Sequence, residues 1–381
     1  MPSVNVIYHQ FPHYRRPIML ELVQNGSNEY KFFASVKPVA GIVPFAGDDK
    51  VRVTPLHFRV WHGLWLLKGY WSAVVDRDCG ALVILANPNM PASWLMAIVG
   101  RLTGKKVLFW AHGWLKPEPV FKRTFRNLYF RLAHHMLVYG ERSRRIGISL
   151  GYPADRITVV YNSLDFDRAK ALVAEIESGA EALPRPQDLF AENERPLIIC
   201  TARLTRLCRF DLLLHAAAKL KTEGRPINVL LVGDGPERQA LEDLARQLGV
   251  DAYFYGACYD EAVLARLIYF SDLTVSPGKI GLTVIHSLSY GTPAITHGNL
   301  DEQMPEVEAI LPGETGTFFE RGSADDLASK IKAWLDAGRD RAEVRRACYG
   351  MIAGNWNPRQ QRILIETAIA KVGGSLRERR P

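Results

Sequence analysis

Residues 276–296 read SPGKIGLTVIHSLSYGTPAIT. Gly278 and Gly281 open a loop, Thr283 to Tyr290 carries a short helical pattern, and Gly291-Thr292-Pro293 ends it before the apolar Ala294-Ile295. The stretch predicts a strand end, a glycine turn, a helix and a second turn into a strand. A glycine loop feeding a helix N-terminus leaves backbone N–H groups free and suits an anion. The charged side chains beside it are Lys279 in the loop and the titratable His286 on the helix, with no carboxylate.

The same alternation of short apolar runs and helical patterns recurs in both directions. In the first half the runs are SVNVIYH (3–9), ALVILAN (81–87), KKVLFWAHG (105–113), HMLVYG (135–140) and ITVVYNS (157–163). In the second half they are PLIICTAR (196–203), NVLLVGDG (228–235), DAYFYG (251–256), DLTVSPG (272–278) and TPAITHG (292–298). This is the pattern of α/β domains with parallel, doubly wound sheets. The Pro- and Glu-rich stretch SGAEALPRPQDLFAENERP (178–196) reads as the connection between two Rossmann-like domains facing across a cleft, over residues 1–180 and 181–355. Ligands on such sheets bind beyond the carboxyl ends of the strands. Here those ends carry His9, Asn87, His112, Gly140, Asn162, Arg203, Gly233, Gly256 and Gly278.

With 381 residues, 48% apolar and 23% charged, the composition is that of a folded, water-soluble chain. The start MPSVNVIYHQF lacks the layout of a signal peptide, and prolines and asparagines interrupt the apolar region 81–100. Five scattered cysteines show no metal-ligand spacing, so the expectation is a reducing cytoplasm, no metal and no disulfide framework. Charge is uneven: residues 1–170 hold 23 Lys and Arg against 11 Asp and Glu, while the rest holds 25 against 29. A basic half beside a mildly acidic one suggests an anionic surface as partner. No nucleic-acid motif accompanies it, which leaves an anionic membrane face as the expected one.

The second half resembles the group 1, family 4-like glycosyltransferases of the GT-B fold. The signatures follow in order: TARLTRLCRFDLLLHA (201–216), LLVGDGPERQALEDLARQLGV (230–250), FYGACYD (254–260), the opening stretch, and EVEAILPGETGTFF (306–319). The resemblance covers residues 196–340 strongly and the first half loosely. It implies transfer of a sugar from a nucleoside diphosphate, retaining and without a bound metal or other cofactor. The leaving diphosphate is then neutralised by cations and helix N-terminal amides. Arg203 matches the family's phosphate-binding arginine. The partner lysine falls at Cys208, with Arg206 and Arg209 as substitutes. The family's paired glutamates, seven residues apart, fall at Gly278 and His286; the first holds the transferred sugar and the second the ribose. An imidazole can still bond a ribose diol, whereas a glycine replaces no carboxylate. Lys279 then faces phosphate or an acidic sugar, and the Gly281, Leu282 and Thr283 amides remain for the diphosphate. A pocket lacking that glutamate suits a deoxy or acidic sugar.

Asp234 in VGDGP reads as a turn residue, with Gly233 allowing close approach of the nucleotide. Tyr255 and Gly256 offer contacts to the base. Glu306 and Glu308 compete for the family's acidic position, with loop spacing favouring Glu308. In the first half His112-Gly113 matches a frequent His-Gly beside the reacting sugar. The catalytic candidates are thus His112, Arg203 and Lys279. The loop QFPHYRRPIML (10–20) brings His13, Tyr14, Arg15 and Arg16 toward an acceptor.

WHGLWLLKGYW (61–71) concentrates aromatics of the kind that favour lipid interfaces, and VFKRTFRNLYFRLAHHML (120–137) reads as one basic amphipathic helix. The helix RQQRILIETAIAKV within 356–381 is expected to cross back to the first domain, as in relatives. The favoured reading is a cytoplasmic hexosyl- or deoxyhexosyltransferase, peripheral at the inner face of the membrane. It would act in polysaccharide, exopolysaccharide or lipopolysaccharide synthesis, on a glycan or a polyprenyl-diphosphate-linked acceptor. The alternatives are a non-catalytic nucleotide-sugar-binding or scaffold protein, or a nucleotide-sugar epimerase or sugar phosphorylase of similar fold.

Overall fold

Continuous burial of apolar strands on both faces dictates the architecture, because parallel strands must be covered by helices on each side. The computed structural model describes residues 3–38, 43–179 and 185–373, and the chain divides into two units, Met1–Leu164 with Asn357–Pro381, and Asp165–Trp356.

The first unit's strands are β1 (Ser3–Ile7), β2 (Tyr30–Ala34), β3 (Val53–Pro55), β4 (His57–Trp61), β5 (Leu64–Lys68), β6 (Cys79–Leu85), β7 (Lys106–Ala111), β8 (His135–Val138) and β9 (Ile157–Val159). Seven of them form a parallel sheet in the order β3-β2-β1-β6-β7-β8-β9. Its helices up to Leu164 are α1 (Arg16–Asn25), α2 (Trp71–Val75), α3 (Pro91–Leu102), α4 (Val120–Phe130) and α5 (Glu141–Ser149). β4 and β5 pair as an antiparallel hairpin whose two-residue turn, His62-Gly63, has positive φ at both positions. That is the backbone twist a tight hairpin needs. The hairpin, β2 and β3 have no counterpart among the predicted runs. The aromatic stretch 61–71 is thus largely sheet, with Trp65 packed 4.6 Å from His9. The expected helix over 120–137 stops at Phe130, since His135–Val138 enters the sheet as β8.

The second unit contains β10 (Leu197–Thr201), β11 (Asn228–Val232), β12 (Ala252–Gly256), β13 (Leu273–Ser276), β14 (Ala294–His297) and β15 (Gly316–Phe319), parallel in the order β12-β11-β10-β13-β14-β15. Its helices are α6 (Phe166–Ser178), α7 (Phe210–Thr222), α8 (Arg238–Leu248), α9 (Glu261–Tyr269), α10 (Leu282–Ser289), α11 (Ala324–Asp336) and α12 (Arg341–Asn355). The division falls at Leu164, not at the expected 180, and the reason is α6. Asp165 caps it, its Oδ1 accepting from the Arg168 N–H at 3.0 Å, and Glu177 near its end accepts from the Tyr269 hydroxyl on α9 at 3.0 Å. Residues 180–184 of the expected connection lie outside the described residues.

After Trp356 the chain returns to the first unit as α13 (Pro358–Gly373). Gln361, fully buried, donates to the Tyr161 carbonyl at 2.6 Å and accepts from the Ser163 hydroxyl at 2.7 Å. Tyr161 itself has φ +54, a left-handed conformation costly for a non-glycine residue, so α13 holds a strained turn at the end of β9. Arg362 adds bonds to Glu21 and Glu366. Gln361→Ala takes the acceptor from the buried Ser163 hydroxyl and should cost about 1–3 kcal/mol. Scanning calorimetry should show the first unit's transition falling by a few degrees; an unchanged transition contradicts this role for α13.

Candidate active site

In the second sheet the strand order reverses between β10 and β13, which makes the loops after them the place for a ligand. These loops touch. A Cβ on Gly278 would lie 1.9 Å from the Leu207 carbonyl oxygen and 2.9 Å from the Cys208 Cα, and the Gly278 N–H donates to the Cys208 carbonyl at 3.0 Å. Position 278 is therefore glycine because backbone fills the space a side chain needs. From the other side Gln303, 3% exposed, accepts from the Ile280 N–H at 2.8 Å. Its amide nitrogen lies 3.3 Å from the Gly278 carbonyl, 2.9 Å from Thr296 Oγ1 and 3.1 Å from the His297 carbonyl. One buried amide thus ties the glycine loop to the ends of β13 and β14.

Gly281 is the residue before α10, and no side chain caps that helix. Thr283 Oγ1, in the first turn, bonds to the Thr201 carbonyl at the end of β10 at 3.3 Å. The first-turn amides, including those of Leu282 and Thr283, keep the partial positive charge of a helix N-terminus. Arg203 and Lys279 are exposed near these loops, and neither side chain makes a hydrogen bond or ion pair among the described residues. His297 is pushed below the ordinary histidine range, by burial first and then by Arg321, with Lys279 adding to the effect. Glu302 opposes both cations.

The substitutes for the missing lysine differ. Arg209 has φ +53 before α7 and is held by both oxygens of Asp211, at 3.0 and 2.9 Å. Arg206 is 90% exposed and 4.0 Å from Glu237. The two arginines, with Thr205, Phe210, Asp211, Glu237 and Leu241, line a cavity of about 290 Å³. Cys208 points its thiol at the Arg203 carbonyl, 3.2 Å away. Gly233 has a packing reason of its own: a Cβ there would lie 2.0 Å from the Ala202 carbonyl oxygen. Asp234 accepts from the Gly235 N–H at 2.7 Å, as a turn residue does. Gly256 has φ +89 and its carbonyl accepts from the Gly233 N–H, while Tyr255 on the edge strand β12 is 38% exposed. Glu306 and Glu308 share one 3-10 turn, and Glu306 is the buried one.

His286 lies one turn into α10, with Nε2 2.8 Å from Glu261 Oε1. The same oxygen accepts from the Tyr290 hydroxyl at 2.5 Å. Partial burial pushes the Glu261 carboxyl up, but the bonds from His286 and Tyr290 outweigh it and hold the pKa at about 2. Neither Glu261 nor Gln303 carries a sequence signal linking it to this loop, because each reaches it from a distant element.

In the first unit Tyr139, just beyond β8, gathers what the sequence left apart. Arg15 is 8% exposed, donates to the Tyr139 hydroxyl at 2.5 Å and stacks its guanidinium 5.3 Å from the Trp110 ring. The exposed His112 sits 5.0 Å from the Tyr139 ring, and Gly113 turns the chain where any side chain would strike Ser143. His13 and Tyr14 lie in and beside exposed surface, while Arg16 opens α1 and pairs with Asp48 at 2.6 Å. His9, between Phe58 and Trp65, is driven down to about 4 by burial and is neutral at pH 7.

The sequence profile described as Glycosyl transferases group 1 matches residues 185–350. Glycogen synthase of Paracoccus denitrificans is 34% identical over 322 residues, which cover 78% of this chain and 67% of that protein. Glycogen synthase of Halorhodospira halophila is 27% identical over 59% of this chain, and the match spans about half of that relative's length, 48%. Among solved structures, Alr3699/HepE of Anabaena in complex with UDP superposes with a TM-score of 0.69 at 15% identity, over 97% of this chain and all of that one. The fold is therefore GT-B, two Rossmann-like units.

A glutamate placed at 278 cannot restore the family pattern here, because its first carbon meets the 207–208 backbone. Gly278→Glu should lower nucleoside-diphosphate affinity by about tenfold or more in calorimetry, equivalent to about 1.4 kcal/mol. Affinity equal to or above that of the unaltered chain contradicts the packing argument.

Proposed function

We propose, from the premise that this chain belongs to the group 1 glycosyltransferases, that it moves a sugar from a nucleoside-diphosphate donor held by the second unit to a glycan or lipid-linked acceptor. The observation that carries this reading is the pairing of unengaged Arg203 and Lys279 with an uncapped helix N-terminus at the switch point. Anionic leaving groups are stabilised by such preorganised donors and cations. The UDP held by the Anabaena neighbour supports the same donor class.

In this scheme the bond from the anomeric carbon to the diphosphate oxygen breaks as the acceptor oxygen bonds to the same face. The acceptor proton passes to the departing phosphate oxygen. Arg203, Lys279 and the Leu282 and Thr283 amides take up the charge that develops there. Retention follows from same-face attack and needs no carboxylate at 278. His112, exposed beside Tyr139, is assigned to the acceptor side with His13 and Tyr14, whereas Arg15, buried against Tyr139 and Trp110, supports that face from beneath. Arg16 is set aside from direct contact by its bond to Asp48.

The acceptor is proposed to be reached at a membrane surface. α3 and α4 pack side by side, with Trp94 5.1 Å from Phe125 and Tyr129 bonded to Ser93 at 2.7 Å. Their outer faces expose Leu102 at 82%, Phe121 at 83% and Leu128 at 60%, bordered by Arg101, Lys122, Arg123 and Arg131. Apolar groups ringed by cations favour an anionic lipid interface. Among the described residues no helix is long and apolar enough to span a bilayer.

A panel of nucleotide sugars incubated with membrane lipid extract should yield one glycosylated lipid product by mass spectrometry. Donor binding with no product from any donor favours the scaffold reading. Arg203→Ala should weaken nucleoside-diphosphate binding by about 1.5–3 kcal/mol, and unchanged affinity removes it from the site. Flotation on vesicles should require anionic lipid, fall with salt and drop further in Phe121→Ala. Equal binding to neutral vesicles at high salt sinks the electrostatic part.

A further inference from the structure

The strand order places α9 and α10 together. The steps from β12 to β13 and from β13 to β14 run in the same direction across the sheet, and right-handed crossovers put both helices on one face. Both helices begin at the carboxyl edge, beside the glycine loop. His286 lies four residues beyond Leu282, so about 6 Å along α10 from its first turn. A nucleoside diphosphate seated on that turn carries its ribose one phosphate further, at a comparable distance.

Glu261 is the first residue of α9, yet it does no capping: Asp260 accepts from the Ala262 and Val263 N–H groups at 2.9 and 3.2 Å. Its Oε1 is fixed by His286 and by Tyr290, a fully buried residue. Its Oε2 makes no hydrogen bond among the described residues, and the side chain is 46% exposed. A carboxylate with one oxygen anchored and one left to solvent is prepared to accept a hydroxyl, and the carboxyl is ionised at neutral pH. If the pair served only to join two helices, it would be a weak device, since such ion pairs add little stability.

We propose that Glu261 supplies the ribose-binding carboxylate of this site from α9, positioned by His286 and Tyr290, where the family's pattern would place a glutamate on α10. This rests on the donor-binding reading above. The bonds formed are from the ribose 2′- and 3′-hydroxyls to Glu261 Oε2 and to the second nitrogen of His286.

The test is calorimetry with UDP, GDP and ADP and their 2′,3′-dideoxy counterparts. The unaltered chain should bind one ribonucleotide about tenfold or more tighter than its dideoxy form, as loss of a hydrogen bond to a charged group implies. Glu261→Gln should shrink that ratio to about threefold or less while leaving dideoxy affinity within about twofold. Glu261→Gln with His286→Glu should restore the ratio, because the carboxylate returns to α10. A ratio unchanged in Glu261→Gln, or equal losses for both nucleotides, overturns the proposal and leaves donor binding intact. Failure of the unaltered chain to bind any of the six overturns the donor reading with it.

Discussion

The contact between Gly278 and the backbone of Leu207 and Cys208 is the constraint on which the second unit's ligand face depends. It brings the loops after β10 and β13 together across the switch point, and no residue with a side chain fits there. Gln303 completes the arrangement from the opposite side, with one amide reaching the backbone of Gly278, Ile280 and His297. The loop is therefore held by groups that do not change charge, and its shape is set before any ligand arrives. Preorganised backbone donors of this kind need no rearrangement as negative charge develops.

Losing a carboxylate at 278 follows from the same contact. What replaces it is a shift of the local balance toward positive charge, through Arg203, Arg206 and Lys279, while Arg209 is neutralised by Asp211. Glu261, an acidic group brought to α10 from another helix, is stabilised as an anion by two donors. In the proposed function, a pocket arranged this way would hold phosphate through cations and backbone amides and rely less on carboxylates to hold the transferred sugar. His297, at the end of β14, has its pKa lowered mainly by burial.

Parallel strands buried on both faces are continuous apolar runs, and every one of the ten expected runs contains a strand. β2 and β3 escaped because YKFFA and VTP are short and mixed in polarity, and the hairpin because its aromatics suggested a lipid interface instead. The HG turn flanked by β-formers was the signal available for it. The boundary at 180 was misplaced because α6 reads as any amphipathic helix; which sheet it covers is decided by Tyr269, far along the chain. Arg203, Gly281 and His286 lie within the signatures that the sequence carries. Gln303, Glu261 and Tyr139 act from separate elements, and no spacing along the chain encodes those meetings.

The central claim is that the diphosphate of a nucleotide sugar rests on the α10 N-terminus between Arg203 and Lys279. A crystal structure with a bound nucleoside diphosphate tests it most directly. The account predicts phosphate oxygens within hydrogen-bond distance, about 2.7–3.2 Å, of the Leu282 or Thr283 amide and of the Arg203 guanidinium, with Gly278 still packed on Leu207. Phosphates bound elsewhere on the second unit, with those amides facing only water, contradict it.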